Sequence, residues 1–247
     1  MTGIALAFSW LTVLPVRGPS RIDRVAAGRA IAAVPLVGVV LGALTAALLW
    51  ALSEAGLGAT LAGLLSVAVL ALLSRGMHID GLADTIDGLG CYGPPERAQE
   101  VMRSGGVGPF GVAALITAML SQALAFGALA GEGRWTAIAL AVTAGRVAVV
   151  PVCRRGVSAF SDTGFGALVV GTQPMWRGVV WSLALAVAAV WVLPNPWQGP
   201  LVVAVAVATA VLLARHCARR FGGISGDVLG AVIEVTVTLC AVGLTLR

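Results

Sequence analysis

Three aspartates lie close together between Arg75 and Gly90, in the stretch R-G-M-H-I-D-G-L-A-D-T-I-D-G-L-G. Asp80, Asp84 and Asp87 are spaced i, i+4 and i+7. On an α-helix they would lie at about 0°, 40° and −20° around the axis, so they would share one face. Like charges on one face destabilise a helix, and a hard divalent cation prefers carboxylate oxygens as ligands. The spacing therefore predicts a cation bound to these three aspartates.

The alternative for this stretch is a solvated acidic face between two hydrophobic segments. Acidic residues are scarce, however, with eleven Asp and Glu among 247 residues. The three aspartates also lie next to apolar segments long enough to be membrane spans, where an uncompensated charge is costly. We therefore favour a metal site, in which Asp84 and Asp87 are also predicted to be catalytic. Asp87 is the first candidate for the base that accepts the proton of an attacking hydroxyl, and His78 is the second.

A second acidic element is found in F-G-G-I-S-G-D-V-L-G-A-V-I-E, residues 221–234. Asp227 and Glu234 are seven residues apart and would share one helical face. The small residues Gly230 and Ala231 lie between them and would let another helix approach closely. Glu234 falls inside an apolar segment, where an ionisable side chain is expensive and commonly functional. We predict that both acids join the metal site, with a protonated Glu234 in a packing role as the alternative.

Glycines precede the helix that should begin at Ser225 or Asp227. Gly222, Gly223 and Gly226 leave backbone N–H groups accessible at this helix start, where a phosphate can bind. Ser225 could join that binding or simply cap the helix. We predict that Gly222, Gly223, Ser225 and Gly226 bind a phosphate-bearing substrate.

Two further polar residues are candidates for the same site. Arg146 lies within an apolar segment, where a guanidinium must be paired with a carboxylate or with substrate phosphate. His78 precedes Asp80 by two residues, so on a continuous helix it would point away from the aspartates unless Gly76 allows the chain to turn. His78 has either a supporting or proton-transfer role, or is a simple hydrogen-bonding residue.

The composition places the chain in a membrane. Hydrophobic residues make up 59% and charged residues 11%, less than half the roughly 25% charged residues of soluble domains, and the mean hydropathy is +0.98. All sixteen basic residues are arginine, and we attribute the basic pI near 9.8 to cytoplasmic loops because no nucleic-acid motif is present. Four scattered cysteines fit neither a zinc site nor a disulfide framework.

The apolar segments predict an all-α, polytopic integral membrane protein with about seven transmembrane helices in a single catalytic domain, residues 1–247. Residues 1–16 are apolar but short, and we expect an interfacial or re-entrant segment there. The candidate spans are 30–52, 57–74, 107–131, 134–152, 178–194, 199–217 and 228–246.

The arginines predict the orientation of these spans. Thirteen of the sixteen fall in loops on one side, whereas Arg134 and Arg247 fall on the other and Arg146 lies within a span. The positive-inside rule places the arginine-rich side in the cytoplasm. The acidic stretch and the glycine-rich motifs M-R-S-G-G-V-G-P-F-G (102–111), S-D-T-G-F-G (161–166) and G-G-I-S-G-D (222–227) all lie on that side. We therefore expect a multi-pass protein of the plasma membrane with its active site facing the cytoplasm.

Carboxylates from two helices, with arginines nearby, suit one class of reaction. Carboxylates hold Mg²⁺, and Mg²⁺ with arginines neutralises phosphate oxygens while a hydroxyl attacks in line. This favours transfer of a phosphate-linked group from a nucleoside diphosphate donor to an alcohol. An ion-coupled transporter is the main rival, but it predicts acids near the bilayer centre and polar loops on both faces.

The motifs resemble a known family. H-I-D-G-L-A-D-T-I-D-G (78–88) resembles the H-x-D-G-x-A-D-x-x-D-G signature of cobalamin synthase, the adenosylcobinamide-GDP ribazoletransferase family. The motifs at 102–111 and 222–234 are similar to the family's next two, in the same order. Many members have an aspartate and a basic residue where this chain has Ser104 and Gly106. CDP-alcohol phosphotransferases, a second rival, share the acidic character but not the spacing.

This resemblance implies an integral membrane enzyme that uses Mg²⁺. Its members join adenosylcobinamide-GDP to α-ribazole or α-ribazole 5′-phosphate, release GMP and complete the nucleotide loop in cobalamin biosynthesis. By motif, metal or catalytic roles pass to Asp80, Asp84, Asp87 and Asp227, with His78 and Glu234 as further members. The lipid bilayer is the other expected partner, nucleic acid is not expected, and a homo-oligomer is left open.

Overall fold

A computed structural model describes residues 2–19 and 21–246, except for the side chain of Thr2. Within these ranges the regular structure is entirely helical, apart from two isolated bridges. The helices are α1 (Thr2–Leu11), α2 (Arg24–Glu54), α3 (Ala59–Leu73), α4 (Met77–Gly90), α5 (Pro95–Arg103), α6 (Pro109–Gly131), α7 (Trp135–Val152), α8 (Gly164–Val169), α9 (Met175–Ala189), α10 (Gln198–Phe221) and α11 (Gly226–Gly243).

The prediction of an all-α, polytopic membrane protein is confirmed. Each of the seven candidate spans corresponds to a helix whose ends differ from the prediction by a few residues. Five described helices, α2, α6, α7, α10 and α11, are long and apolar enough to cross a membrane, and α3 with α4 makes a sixth if the bent pair is one span. Helix α9 is apolar but has only 15 residues, so the count of seven is not confirmed.

Helix α1 is the short apolar segment at the start of the sequence. Its ten residues extend about 15 Å, roughly half of a bilayer core, so it is too short to cross. It packs against α2, and Gly3 of α1 lies directly over Arg29 of α2.

Small residues set the helix crossings in the interior. Gly38 and Gly42 of α2 face the backbone of α7 at Thr143 and Ala139, and Gly63 of α3 faces the backbone of α6. A side chain at any of these glycines would collide with the opposing helix. These close crossings therefore require glycine at the three positions. The glycine and alanine content of the spans therefore reflects close helix packing.

The chain turns sharply between α3 and α4. The two helices are bent by 93° at a break of a few residues, where Arg75 (φ 59°) and Gly76 (φ 69°) adopt left-handed backbone conformations. The Arg75 guanidinium donates hydrogen bonds to the carbonyls of Thr12 (3.1 Å) and Ser9 (3.3 Å) in the α1 region. The corner is thereby tied to the end of α1.

Helix α4 crosses α11 in close contact. A Cβ atom at Gly81 of α4 would lie 2.7 Å from the carbonyl oxygen of Asp227, and one at Gly230 of α11 would lie 3.2 Å from the backbone of His78. The two glycines thus let the acidic stretch of α4 approach the first turn of α11.

The glycine-rich and polar loops meet at one end of the bundle. The Gln99 side chain donates to the carbonyl of Phe221 (2.8 Å), and Arg220 donates to the carbonyl of Cys91 (2.7 Å). The backbone N–H of Ile224 donates to the Ser158 carbonyl (3.0 Å). These contacts bring together three loops that the arginine count assigned to one side of the membrane.

We predict that Gly81→Ala lowers the thermal stability of the protein in detergent. The added methyl group must displace the Asp227 backbone, and overpacking of this kind costs about 1–3 kcal/mol. Gly131→Ala is the matched control, because a Cβ there meets nothing within 4 Å. Equal unfolding temperatures for the two variants would contradict a close α4–α11 crossing.

Candidate active site

A cavity of about 340 Å³ lies between α1, α2, α4, α7, α8 and α11. We call it the acidic cavity, because its polar side chains are His78 and Asp80 from α4 and Asp227 from α11. The rest of its lining is apolar apart from glycine, and is contributed by Trp10, Leu11, Ile31, Val34, Met77, Val149, Phe165, Leu229 and Ile233 with Gly226 and Gly230. Carboxylates from the two predicted acidic elements therefore face the same space.

The predicted acidic face exists, because α4 is helical from Met77 to Gly90. Asp80 is exposed and Asp84 is partly exposed. The charge of Asp84 interacts with those of Asp80, Asp227 and Asp87, although Asp84 does not line the acidic cavity. The crossing of α4 and α11 thus gathers four aspartates into one region of strong negative potential.

Asp87 has a structural partner that the sequence did not reveal. Its carboxylate accepts hydrogen bonds from the backbone N–H groups of Gly108 (2.6 Å) and Gly111 (2.8 Å) at the start of α6. A Cβ at either glycine would collide with the carboxylate. A carboxylate at a helix N-terminus is stabilised by the unpaired N–H groups and by the helix dipole. Asp87 therefore anchors α6 to α4, and Gly108 and Gly111 give it access.

The carboxylates that line the acidic cavity suit a cation that binds together with a phosphate-bearing substrate. Among the described residues, no three His, Cys, Asp or Glu side chains are arranged to hold a metal ion. Mg²⁺ commonly needs only one or two carboxylates, because substrate phosphates and waters complete its shell. Asp80 and Asp227 line one cavity and supply such a pair. The residues fit Mg²⁺ in this shared form, and no preformed cage is present within the described ranges.

His78 and Arg146 form a buried pair beside the cavity. The Arg146 guanidinium lies 3.2 Å from Nδ1 of His78 and is only 1% exposed. Because arginine can only donate, Nδ1 must accept, and a neutral His78 carries its proton on Nε2. That Nε2 is buried without a partner among the described residues. Arg146 lies behind His78 and does not line the acidic cavity, so direct phosphate binding by Arg146 stays a prediction.

Glu234 lies deeper in the bundle. It accepts a hydrogen bond from Gln122 of α6 at 2.8 Å, and Gln122 also contacts Thr238 at 3.1 Å. Glu234 is 8% exposed and does not line the acidic cavity. Its predicted role as a metal ligand is therefore not supported by its position, whereas a buried hydrogen-bonding role is visible.

The residues predicted to bind phosphate are divided between cavities. Gly226 lines the acidic cavity together with Asp227, whereas Gly222 and Gly223 line a separate space. Ser225 caps α11, because its Oγ accepts from the N–H of Val228 (3.2 Å). The Ser225 hydroxyl also lies 3.2 Å from the Asp227 carboxylate.

A second cavity of about 530 Å³ adjoins the first, and we call it the loop cavity. It shares Phe165, Gly226 and Asp227 with the acidic cavity. Arg103 lines it and stacks over the ring of Phe160 at 4.9 Å. Asp227 therefore lies between an acidic, largely apolar space and a space with a cationic side chain.

The sequence did not identify three residues that line the two cavities, namely Arg103, Phe165 and Trp10. Phe165 and Trp10 meet edge to face, with ring centroids 5.1 Å apart, and both line the acidic cavity. Arg103 and Phe165 belong to glycine-rich motifs that the sequence placed on the same side as the acids. The motifs were a usable signal for these two residues, whereas nothing in the sequence connects Trp10 with the site.

Known proteins are similar to this chain over nearly its whole length. Residues 3–245 match the family described as cobalamin-5-phosphate synthase. The chain belongs to this family. It is 39% identical to an adenosylcobinamide-GDP ribazoletransferase of Corynebacterium efficiens, over 97% of this chain and 90% of the relative. It is 40% identical to the protein of that name from Frankia casuarinae, with 97% and 94% coverage, and 35% identical to that of Citrobacter koseri, with 93% of each.

No solved structure matches this chain. The family prediction made from the residue 78–88 motif is confirmed by the match over residues 3–245. The role of each site residue stays a prediction.

We predict that Asp87→Asn lowers thermal stability as well as activity. The amide keeps one acceptor oxygen and turns an N–H₂ group toward the start of α6, which leaves a buried backbone N–H unpaired at a cost of about 1–3 kcal/mol. Glu100→Gln, at an exposed ion pair, is the control. Normal stability with a loss confined to the chemical step would instead identify Asp87 as the catalytic base.

Proposed function

We propose that the chain joins adenosylcobinamide-GDP to α-ribazole or α-ribazole 5′-phosphate and releases GMP, with Mg²⁺ as cofactor. The observation that carries this proposal is the meeting of Asp80 and Asp227, from two different helices, on the wall of one cavity. The proposed substrates come from the chain's membership of the cobalamin-5-phosphate synthase family. They also follow the name of its relatives, adenosylcobinamide-GDP ribazoletransferase.

The reaction exchanges one phosphorus–oxygen bond for another. A ribose hydroxyl oxygen of the acceptor bonds to the phosphorus that carries cobinamide, and the bond from that phosphorus to the GMP oxygen breaks. When bound, Mg²⁺ neutralises phosphate oxygens and the charge that develops on the leaving group. Asp80 and Asp227 would hold it, while Arg103 in the adjoining loop cavity would bind phosphate oxygens directly.

His78 is proposed as a hydrogen-bond donor to the substrate. Arg146 fixes the tautomer with the proton on Nε2, and this N–H has no partner among the described residues. A phosphate oxygen or a developing oxyanion in the acidic cavity is a suitable acceptor. Arg146 then acts as a positioning residue, through its contact with His78.

The proton of the attacking hydroxyl requires a base. Asp87 is the weaker candidate, because both of its oxygens accept backbone N–H groups, and Asp227 interacts with the Ser225 hydroxyl. Asp84 lies on the same face of α4, is partly exposed and interacts with the other aspartates only through charge. Asp84 is outside the lining of the acidic cavity, but it lies one helical turn from Asp80 on α4. We therefore assign the proton transfer to Asp84 for a hydroxyl held at the edge of the cavity, which leaves Asp80 and Asp227 to bind the cation.

The predicted cellular placement belongs to the same proposal. The three loops that carry the site motifs meet at one end of the bundle, and they hold most of the arginines. The positive-inside rule then gives a plasma-membrane protein with a site open to the cytoplasm, where nucleotides are available. Arg247, predicted on the opposite side, lies outside the described residues.

The proposal predicts metal-dependent GMP release by the purified protein. With adenosylcobinamide-GDP, α-ribazole and Mg²⁺, Asp80→Asn, Asp84→Asn and Asp227→Asn should each reduce the rate by at least about tenfold, and EDTA should abolish it. Glu54→Gln is the control, because Glu54 ends α2 and lines none of the cavities described. α-Ribazole 5′-phosphate is tested as a parallel acceptor. Full turnover in EDTA would contradict the role of Mg²⁺. Normal turnover by Asp80→Asn and Asp227→Asn would contradict the assignment of the active site to the acidic cavity.

The orientation can be tested by cysteine labelling in a chain with Cys91→Ser. We expect an impermeant thiol reagent to label Asn195→Cys, in the loop between α9 and α10, in intact cells. Glu96→Cys, at the opposite end, should react only after the membrane is opened. Labelling of Glu96→Cys in intact cells would overturn the cytoplasmic placement.

A further inference from the structure

A groove on the bundle and a neighbouring polar cavity share one lining residue, Arg215. The groove, of about 480 Å³, lies between α9 and α10 and ends at Arg215. The polar cavity, of about 350 Å³, begins at the same Arg215 and is also lined by Arg154 and Arg219. We call these the α9–α10 groove and the arginine cavity. We propose that together they bind one anionic phospholipid, with its phosphate in the arginine cavity and an acyl chain in the groove.

The arginine cavity has positive charge without an internal counterion. No Asp or Glu lines it or the groove. Within the described ranges, Arg215 and Arg219 form no ion pair and donate no side-chain hydrogen bond. The Arg154 side chain donates one hydrogen bond to the described part of the protein, to the carbonyl of Pro151 at 3.4 Å. Guanidinium groups match phosphate in geometry as well as in charge, so an anionic phosphate would satisfy donors that the protein leaves free.

The groove is largely apolar. Apart from Ser182 and Arg215, its lining consists of alanine, valine and leucine, including Ala186 of α9 with Ala204 and Ala208 of α10. Ala204, Ala208, Leu212 and Arg215 recur every three or four residues, so they follow one face of α10. An apolar chain is the chemistry that such a surface accepts.

The dimensions agree with one leaflet of a bilayer. From Ala204 to Arg215 is eleven residues along α10, or about 16 Å. Half of a hydrocarbon core of ~30 Å is about 15 Å. A lipid whose phosphate contacts Arg215 would therefore have its chain along the groove to about the bilayer centre. Basic pockets between membrane helices on the cytoplasmic side are suited to anionic head groups.

This site is separate from the acidic cavity. Ser158 and Phe160 pair through backbone hydrogen bonds of 3.0 Å with Ile224, and this paired segment lies between the arginine cavity and the loop cavity, which share Ile224 alone. Gly222 and Gly223, predicted from the sequence to bind the phosphate-bearing substrate, line the arginine cavity. The two glycines leave space there for a phosphate, and the apolar groove that shares Arg215 with this cavity favours a lipid as the ligand.

Native mass spectrometry of the full chain in mild detergent tests the proposal. Phosphatidylglycerol should bind at one site at least about tenfold more tightly than phosphatidylcholine with the same acyl chains. Arg215→Gln with Arg219→Gln should remove that preference. Arg155→Gln should retain it, because Arg155 is exposed, lies next to Arg154 and lines neither space.

Substitutions in the groove separate a bound lipid from a bound phosphate. Ala208→Trp fills the groove and should weaken phosphatidylglycerol binding by roughly tenfold, whereas Val205→Trp, on an exposed face outside it, should not. The unfolding temperature of each variant verifies that it is folded. The proposal fails if phosphatidylglycerol and phosphatidylcholine bind equally, if Ala208→Trp binds like Val205→Trp, or if millimolar inorganic phosphate displaces the lipid completely.

Discussion

The contact between α4 and α11 is the constraint on which the site depends. Two glycines, Gly81 and Gly230, allow the helices to approach until backbone meets backbone. Larger side chains would hold the helices apart, and Asp80 and Asp227 would then face different spaces. The repulsion between these carboxylates opposes the approach, so packing of the surrounding apolar residues must hold it. Negative charge is thus concentrated by the fold at a place where a cation and phosphate can relieve it.

Buried polar groups extend from this contact into the bundle. Arg146 contacts His78 on α4, and Glu234 on α11 accepts from Gln122 on α6. Such groups are costly in an apolar interior unless they are paired, and each pair joins two different helices. They therefore fix the relative positions of helices whose apolar faces alone would allow sliding, since lipid competes equally for those faces.

The sequence predicted the helices well, because their apolar runs are bounded by arginines, glycines and prolines. The acidic residues of α4 and α11 were also identified from spacing alone. Gly76 was identified as a residue that could let the chain turn, but the size of the 93° bend and the left-handed backbone of Arg75 were not predicted, since no proline marks them. The hydrogen-bond partners of Asp87 could not be predicted either. They are the backbone N–H groups of Gly108 and Gly111, and the residue periodicity within α4 contains no information about a different helix. Arg103 and Phe165 belong to motifs that the sequence placed on the side of the acids, but the packing between distant loops that brings their side chains to the site is not visible in one sequence.

The corner at Arg75 has a consequence for the order in which the protein matures. Arg75 donates to the carbonyls of Ser9 and Thr12, so α1 has no anchor at this corner until more than sixty further residues have left the ribosome. Trp10 gains its final surroundings later still, because α11 completes the wall of the cavity that Trp10 lines and begins more than two hundred residues after it. The acidic cavity is therefore absent from the nascent chain until α11 has been synthesised and has packed against α4.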